Sequence, residues 1–590
     1  MKTMKPYHAF FIAGIILLIL AVMVACQSVT PLPLPTPSVI PSRTPLSSPI
    51  LPTITPSLTS TPEGPSLHGV VVDVNNLPVA GATVRVQVTE NKTVSATDGT
   101  FTLYGLTAET PIVITAWSAG YYVGWVENVL PDTEPVTITL KPYYTTDNPD
   151  YTWFSHEGAL GSLSCSHCMP SYNEWIHNAH SQSAVNPRFL TMYNGTDVNG
   201  RQSPLTRYGF NRDYGRFPLR PDPNQPYYGP GYKLDFPETA GNCASCHIPA
   251  MTAKPGMAYA ADPNMAAGIE LEGIFCEFCH KIGEVTLDPT TGLPYSNMPG
   301  TLSMCLYRPG PDQQLFFGNF DDVTRRVSYN PLYEQSQYCA PCHFGTFWDV
   351  TIYNSFGEWL ESPYSDPQTG KTCQNCHMPP VDYNYFVFPE QGGLNRDSNR
   401  IFSHLMPGAS STDLLQNAVT MSVSASRAGE EITVIVTIVN DQTGHHIPTD
   451  SPLRQMILLV SATDGLGQAL PLIDGPTVSD YGGVGDPAEG YYAGLPGKIY
   501  AKTLMELWTE VTPTGAYWNP TRIVSDNRLA AFESDTSMYV FQTSEVSKTS
   551  EVSVRVTLLF RRAFKQLMDQ KGWDVPDILM DEIRLELTGS

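Results

Sequence analysis

Four short segments of the chain repeat one arrangement of reactive side chains: two cysteines three positions apart, followed directly by a histidine. They read CASCH, CEFCH, CAPCH and CQNCH, and their reactive residues are Cys243, Cys246 and His247; Cys276, Cys279 and His280; Cys339, Cys342 and His343; and Cys373, Cys376 and His377. Two thiols at this spacing reach the two vinyl groups of one porphyrin and form thioethers, and the adjacent imidazole then ligates the iron, which is the attachment pattern of c-type haem. The segments predict four covalently bound haems.

Two other uses of cysteine compete with haem attachment. Disulfides are normal outside the cytoplasm, but they do not explain a histidine after every pair. Zinc accepts both cysteine and histidine, but the four repeated units do not form a zinc-finger pattern. Haem attachment is the interpretation that accounts for all three residues of each motif.

A further C-x-x-C pair, Cys165 and Cys168 in CSHCM, differs because Met169 follows it instead of a histidine. Three interpretations remain open. A fifth haem is attached, with Met169 or a histidine from elsewhere as axial ligand; or the haem has been lost and the cysteines form a disulfide or stay as thiols; or His167 inside the pair serves a neighbouring haem. Cys305 is expected to be a buried apolar side chain, or to bridge to the first pair if that pair carries no haem.

Histidines outside the motifs are candidates for the second axial position of each iron. The segment NEWIHNAHSQS, after the first C-x-x-C pair, resembles the cytochrome c554-like multihaem family, in which W-x-x-x-x-H ends in a distal iron ligand. The resemblance extends from Tyr151 to the C-terminus and implies that His180 is a distal ligand, with His177 facing solvent. RIFSHLMPG resembles the H-x-x-P-G segment of the same family and implies the same role for His404.

Two more distal ligands are implied by this resemblance. TGHHIPTD resembles the G-H-x-x-P-T-G loop of the family, which makes His445 the ligand and His446 its alternative. Asp450 stands where that loop has its glycine, so the geometry of the turn is left open. His156 lies before the first pair, as an upstream histidine often does in the family. The sequence does not assign any of these histidines to a particular haem.

The N-terminus has the features of an export signal. Two lysines precede an apolar run at residues 10–24 that is too short to span a bilayer comfortably, and the run ends in MVAC at Cys26. This resembles the lipobox of bacterial lipoproteins and implies a lipoprotein signal peptide at 1–26, acylation of Cys26 and anchoring to the outer face of a bacterial membrane, at the cell surface or in the periplasm; a cleaved signal with an incidental cysteine is the alternative. Residues 27–66, rich in Pro, Ser and Thr, predict an extended linker.

The remaining sequence predicts a multidomain fold. Residues 67–141 alternate in short runs, and their G-x-V-x-D, P-V-x-G-A-x-V and T-D-G-x-F patterns resemble the carboxypeptidase regulatory-like domain, a small β-sandwich that would serve as a spacer or adhesion element. Residues 142–410 are dense in Tyr, Pro, Gly and Asn and predict a loop-rich and α-helical multihaem domain packed around haem. In residues 411–590 apolar and polar side chains alternate again, which predicts a second β-sandwich that contributes a haem ligand. A helix is expected near 564–571.

Charge and motif density narrow the classes of function. The formal net charge of -23 argues against nucleic acid as a partner, because phosphate binding needs clustered Lys and Arg. Closely spaced motifs and an excess of histidines favour neighbouring irons with two protein ligands each. We therefore expect electron transfer to redox partner proteins or an external acceptor, in preference to catalysis. A reductase or oxidase of small nitrogen or sulfur compounds, with an open haem at CSHCM, and an adhesion protein with structural haem are the alternatives, and oligomer or filament formation stays open.

Overall fold

The computed structural model describes residues 64–156, 159–311, 313–543 and 551–588. The side chains of residues 155–160 are outside this description. The expected signal peptide, the lipidation site Cys26 and nearly all of the expected linker also lie outside the described residues.

The chain forms two compact units. One runs as far as Asn148 and includes Tyr307–Tyr329; the other comprises Pro149–Leu306 and Asn330–Ser590. A segment from the middle of the sequence therefore belongs to the N-terminal unit.

Two sheets make up the N-terminal part of the chain. The strands are β1 (Leu67–Asp73), β2 (Thr83–Val86), β3 (Lys92–Val94), β4 (Thr100–Leu103), β5 (Ile112–Trp117), β6 (Gly124–Val129) and β7 (Val136–Leu140). Their order is β4-β1-β7 in one sheet and β3-β2-β5-β6 in the other. Inward side chains of both sheets, among them Val71, Val84 and Ile138, are buried in one apolar cluster, as the period of two along a half-buried strand requires. The predicted β-rich N-terminal domain is confirmed.

The segment Tyr307–Tyr329 is attached to this unit by polar contacts. Arg308 Nη2 lies 2.6 Å from Asp147 Oδ2, and the Trp117 indole N–H donates to Ser328 Oγ at 3.0 Å. These contacts give an irregular segment the polar partners that it cannot supply to itself.

The middle of the chain consists of short elements joined by loops. They are β8 (Ser155–His156), β9 (Ala159–Leu160), α1 (Met169–Ile176), α2 (Pro187–Asn194), β10 (Tyr208–Asn211), β11 (Gly215–Pro218), α3 (Tyr232–Asp235), α4 (Ala244–His247), α5 (Pro249–Thr252), α6 (Cys276–Cys279), β12 (Ile282–Val285), β13 (Met304–Leu306), β14 (Phe316–Gly318), β15 (Val327–Tyr329), α7 (Ala340–His343), β16 (Gly345–Phe347), β17 (Val350–Tyr353), α8 (Ser355–Leu360) and α9 (Cys373–His377). The strands pair as two-stranded ribbons. Within the described residues of this region no helix exceeds eight residues, so the expected α-helical haem domain is not evident. Frequent Pro and Gly interrupt helices, and helices this short depend on tertiary contacts.

The C-terminal part is again rich in strands. Its elements are α10 (Thr412–Gln416), β18 (Thr420–Ala428), β19 (Glu431–Val439), β20 (Gln455–Asp464), β21 (Leu472–Asp474), β22 (Gly497–Tyr500), β23 (Lys502–Glu506), β24 (Thr521–Asp526), β25 (Ser534–Gln542), β26 (Val552–Arg561), α11 (Lys565–Lys571) and β27 (Ile578–Leu587). The sheets β18-β19-β25-β21 and β22-β20-β26-β27 are four-stranded. Buried side chains of both, including Val434 and Val556, form one apolar cluster.

The helix expected near 564–571 is present as α11. Leu567 and Met568 on this helix are buried against Trp573 and other apolar residues. Across the described ranges, no helix has both the length and the apolar character that a membrane crossing demands.

Candidate functional site

Each C-x-x-C-H motif contains one helical turn, namely α4, α6, α7 or α9. In three of the motifs the histidine N–H donates to the carbonyl of the first cysteine, at 3.1 Å from His247 to Cys243, 3.0 Å from His280 to Cys276 and 3.1 Å from His343 to Cys339. Residues three and four apart share one face of a helix, so a single turn brings both thiols and the imidazole to the same side. The first pair spans the junction between a 3-10 helix, Gly161–Cys165, and α1.

Thiols of different motifs lie against one another. The interacting pairs are Cys165 with Cys276, Cys246 with Cys342, and Cys339 with Cys373. In each pair the interaction with the partner thiol, followed by burial, raises the pKa of one thiol, that of Cys165, Cys342 or Cys339. The negative charge of Cys279 raises the pKa of Cys339 further. All five C-x-x-C pairs therefore belong to one connected group.

The rings of His180 and His343 lie side by side, with centroids 6.3 Å apart and planes inclined at 78°. Two imidazoles that bind one metal ion, each at about 2 Å, have centroids about 6 Å apart. Burial, followed by the charges of His343 and His377, lowers the pKa of His180 to about 4. The imidazole is therefore neutral at neutral pH, which is the form that ligates metals.

A second pair of imidazoles has the same spacing. The ring centroids of His377 and His445 are 6.4 Å apart, and the planes are inclined at only 15°. His377 Nδ1 lies 2.7 Å from the Pro407 carbonyl oxygen, and His445 Nδ1 lies 2.9 Å from that of His446. A proton on Nδ1 in each ring leaves Nε2 for a metal. Burial lowers the pKa of both histidines.

The neighbouring His446 is directed elsewhere. Its Nδ1 lies 3.3 Å from Glu358 Oε1, and the same carboxylate accepts a hydrogen bond from Arg528 Nη1 at 2.7 Å. Of the two tandem histidines, His445 is thus the one that faces a motif histidine. Asp450, at the position where glycine was expected, has φ of 66°, a left-handed conformation in which Asn and Asp are enriched among non-glycine residues.

His404 is held by the segment that follows the first C-x-x-C pair. Its backbone N–H donates to Glu174 Oε2 at 2.6 Å, and its carbonyl accepts from Asn178 Nδ2 at 2.7 Å. Its Nδ1 lies 3.1 Å from the Phe402 carbonyl oxygen, and burial lowers its pKa. Within the described residues no second imidazole faces His404 as in the two pairs above.

Two motif histidines contact aromatic rings. Phe189 stacks on His247 with centroids 3.9 Å apart and planes inclined at 2°, and Tyr333 lies parallel to His280 at 5.8 Å. Burial lowers the pKa of His247 to about 4. Each contact restricts the orientation of the imidazole that it covers.

The other expected residues lie in varied surroundings. Met169 begins α1 and is 37% exposed. His167 is exposed, and so is His177, whose Nδ1 contacts the Asn173 carbonyl at 2.7 Å. The side chain of His156 lies outside the described residues. Cys305, expected to be apolar and buried, is buried in β13.

Several residues of the site were not foreseen from the sequence. Glu174, Asn178 and Glu358 orient loops that carry histidines, and Phe189 packs on an imidazole. Glu174 and Asn178 are four residues apart in the segment that leads to His180. This spacing places polar side chains on one side of a helix and could have indicated their role from the sequence. Glu358 has no such signal, because its partners are distant in sequence.

The donor set of the two imidazole pairs fits a porphyrin. Among residues 64–156, 159–311, 313–543 and 551–588, no three His, Cys, Asp or Glu side chains form a metal-binding group. A metal between two imidazoles would take its remaining ligands from a non-protein group, and a porphyrin supplies four nitrogens. Cys339 and Cys342 lie in one motif with His343, and Cys373 and Cys376 in one motif with His377, where they would form thioethers to such a porphyrin.

Comparison with solved structures gives distant similarities. A penta-haem cytochrome c552 from Thermochromatium tepidum is 18% identical, with a TM-score of 0.48, and the match covers 72% of this chain and 99% of that one. A type II cohesin-X-dockerin complex from Acetivibrio cellulolyticus is 18% identical over 14% of this chain and 59% of that one, with a TM-score of 0.12. The Fcho1 Mu homology domain from Danio rerio is 10% identical over 30% and 44%, with a TM-score of 0.11. With TM-scores below 0.5, these similarities do not establish a shared fold.

Sequence comparison identifies one region of the chain. The search of curated proteins found no match to this chain. Residues 66–141, which form the sheets of β1 to β7, match the carboxypeptidase regulatory-like domain family.

Proposed function

We propose that this protein is an extracytoplasmic multihaem c-type cytochrome that carries electrons between a membrane redox system and an external acceptor. Four haems are attached at the C-x-x-C-H motifs, and the CSHCM pair is a candidate site for a fifth. The observation that carries the proposal is the spacing of the two imidazole pairs, 6.3 Å and 6.4 Å between ring centroids.

From these pairs we infer the distal ligands of two haems. His180 is the partner of His343 at the haem of Cys339 and Cys342. His445 is the partner of His377 at the haem of Cys373 and Cys376. Bound haem supplies a one-electron iron couple whose potential depends on axial ligands and burial. With protein ligands on both sides of the iron, no coordination position is left for a substrate, which favours electron transfer over catalysis.

The contacts between motifs support exchange among the haems. Thiols interact between CSHCM and CEFCH, between CASCH and CAPCH, and between CAPCH and CQNCH, and a thiol of CEFCH also acts on CAPCH. Porphyrins attached at such neighbouring thiols would lie next to one another. A connected row of redox centres can accept an electron at one end and release it at the other.

Export and anchoring are proposed from the sequence alone. The charged and apolar N-terminus, the cysteine of MVAC and the Pro-rich tract that follows favour a lipid anchor on Cys26 and a linker. Redox partner proteins or an external acceptor would then meet the protein outside the cytoplasm.

Haem counting tests the proposal directly. The full chain, expressed with a haem-attachment apparatus, is analysed by intact mass and by pyridine haemochrome absorbance. We expect four covalent haems, or five if the CSHCM pair is occupied. Colourless protein without a Soret band would contradict the proposal.

Electron paramagnetic resonance distinguishes a carrier from a reductase. We expect low-spin iron at the two bis-histidine haems. A high-spin signal that responds to nitrite or cyanide would support the alternative of an open, substrate-binding haem at CSHCM.

A further inference from the structure

Three arginines converge from distant parts of the sequence. Arg188 is the second residue of α2, Arg454 precedes β20 and Arg562 follows β26. Burial, followed by the charges of Arg562 and Arg454, lowers the pKa of Arg188 to about 10. Burial and the charge of Arg454 also lower the pKa of Arg562. The three guanidinium groups are thus close enough to repel one another.

The surrounding packing independently places the arginines together. Met192, one turn after Arg188, and Ala563, next to Arg562, are buried in one apolar cluster. Leu453, next to Arg454, packs against the same cluster. The chain segments that carry the three arginines therefore meet at one common core.

The described residues do not balance this positive charge. The single ion pair that the three arginines make there joins Arg454 Nη2 to Asp450 Oδ2 at 3.7 Å. Arg562 Nε is buried without a hydrogen-bond partner. Three half-buried guanidinium groups and one carboxylate leave two positive charges without an ion-pair partner. Partial removal from water makes such unpaired charge unfavourable.

The arginine cluster adjoins the CASCH motif. Phe189, directly after Arg188, stacks on His247 at 3.9 Å.

We propose that Arg188, Arg454 and Arg562 bind the propionate carboxylates of the haem attached to Cys243 and Cys246. This inference rests on the haem attachment proposed above. The thioethers fix one edge of a porphyrin, and its two propionates carry the two negative charges that the cluster lacks. The planar guanidinium fork matches a carboxylate with two parallel hydrogen bonds. A soluble oxyanion offers similar chemistry, but covalently attached haem supplies its carboxylates permanently.

Charge-removing variants test the proposal. Arg562→Gln and Arg188→Gln are compared with Arg212→Gln, whose side chain is 93% exposed in the parent protein. Intact mass and peptide mapping first establish that haem is attached at Cys243 and Cys246. Spectropotentiometric titration then measures the midpoint potential of each haem.

We expect each of the two cluster variants to lower the midpoint potential of one haem, because an unneutralised propionate stabilises ferric iron. The ferric-to-ferrous ratio at fixed potential should change about tenfold, which corresponds to about 59 mV for one electron. Arg562→Lys, which keeps the charge, should shift the potential less, and Arg212→Gln should not shift it.

The possible outcomes separate this inference from the proposed function. Full haem content with unchanged potentials in both cluster variants would overturn the inference and leave the function intact. A saturable response of the parent protein to added nitrite or sulfate, lost in the variants, would assign the arginines to a soluble anion and also overturn it. Absence of haem at Cys243 and Cys246 would contradict the proposed function itself.

Discussion

The histidine side chains differ in what their Nδ1 atoms contact, and this contact decides which nitrogen is available to a metal. In His377, His404 and His445 the Nδ1 atom lies 2.7, 3.1 and 2.9 Å from a backbone carbonyl oxygen. Such a carbonyl fixes both the ring orientation and the tautomer. In His446 the same atom faces the carboxylate of Glu358 instead. Two adjacent residues of one type are thus given different surroundings.

Removal of His180 should open one iron. In His180→Ala, the haem that we propose for His343 would lose its sixth ligand, so we expect one low-spin signal to be replaced by a high-spin signal in the paramagnetic resonance spectrum. His177→Ala is the matched control, because His177 is exposed on the same segment. Identical spectra for the two variants would refute the assignment of His180.

Loss of the Glu358 charge should destabilise the protein in a pH-dependent way. Burial raises the pKa of Glu358, but His446 and Arg528 outweigh burial and lower it to about 2, from 4.5 for an ordinary glutamate. The ionised side chain therefore contributes stability above pH 4.5, and this contribution is lost as the pH falls toward 2. We expect Glu358→Gln to reduce the free energy of unfolding by about 3 kcal/mol at pH 7.

Denaturant unfolding of the parent and variant proteins at pH 7 and pH 3 measures this effect. The difference in the free energy of unfolding between the parent protein and Glu358→Gln should be smaller at pH 3 than at pH 7. Glu361→Gln, exposed at the end of α8, should change stability little at either pH. A difference for Glu358→Gln that is the same at both values would speak against the proposed linkage.

At the level of secondary-structure elements, local geometry could be predicted from the sequence, but contacts between residues distant in sequence could not. The C-x-x-C-H turns and the alternating strands β1 to β7 depend on neighbours within a few residues, so their patterns are readable in the sequence. The contact of His180 with α7 and the proximity of the three arginines depend on the paths of long loops. These loops have no hydrophobic periodicity from which their paths could be predicted. The α-helical part of the expected loop-rich haem domain is not evident, because helices such as α4 are single turns shaped by the motif and not by an amphipathic repeat.

The end of α11 is joined to distant backbone by one buried lysine. Lys571 Nζ donates to the carbonyl oxygens of Thr191 at 3.0 Å, Thr196 at 3.1 Å and Pro230 at 2.6 Å. An ammonium group has three donors, so these three bonds satisfy it completely. Burial lowers its pKa to about 7.

Replacement of this lysine should therefore be costly. Lys571→Met leaves the carbonyl groups of Thr196 and Pro230 without this donor, whereas the Thr191 carbonyl keeps its backbone donors Gly195 and Thr196. We expect a loss of roughly 2–4 kcal/mol in the free energy of unfolding. Lys565→Met on the same helix removes one ion pair with Asp569 and should cost no more than about 1 kcal/mol. Denaturant titration checks both values, and equal losses would argue against a special role for Lys571.

For the whole molecule, the dominant physical property is the excess of negative charge. A formal net charge of -23 produces a field that attracts positively charged proteins and repels negatively charged ones. Such steering acts on the rate of encounter and weakens as salt shortens the range of electrostatic forces.

Electron exchange with a basic redox protein should accordingly depend on ionic strength. We expect the second-order rate constant, measured by stopped flow with a small basic cytochrome, to fall about tenfold or more from low to high salt. Reduction by an uncharged small molecule is the control and should not change. A salt-independent rate with the basic protein would exclude steering by the net charge.

The two imidazole pairs differ in the angle between their rings, 78° for His180 with His343 and 15° for His377 with His445. Nearly perpendicular ligand planes leave two d orbitals of a central ferric ion close to degenerate, whereas nearly parallel planes separate them. The two centres would then have different magnetic anisotropy despite identical donor atoms, so that each could be followed individually while electrons pass between them.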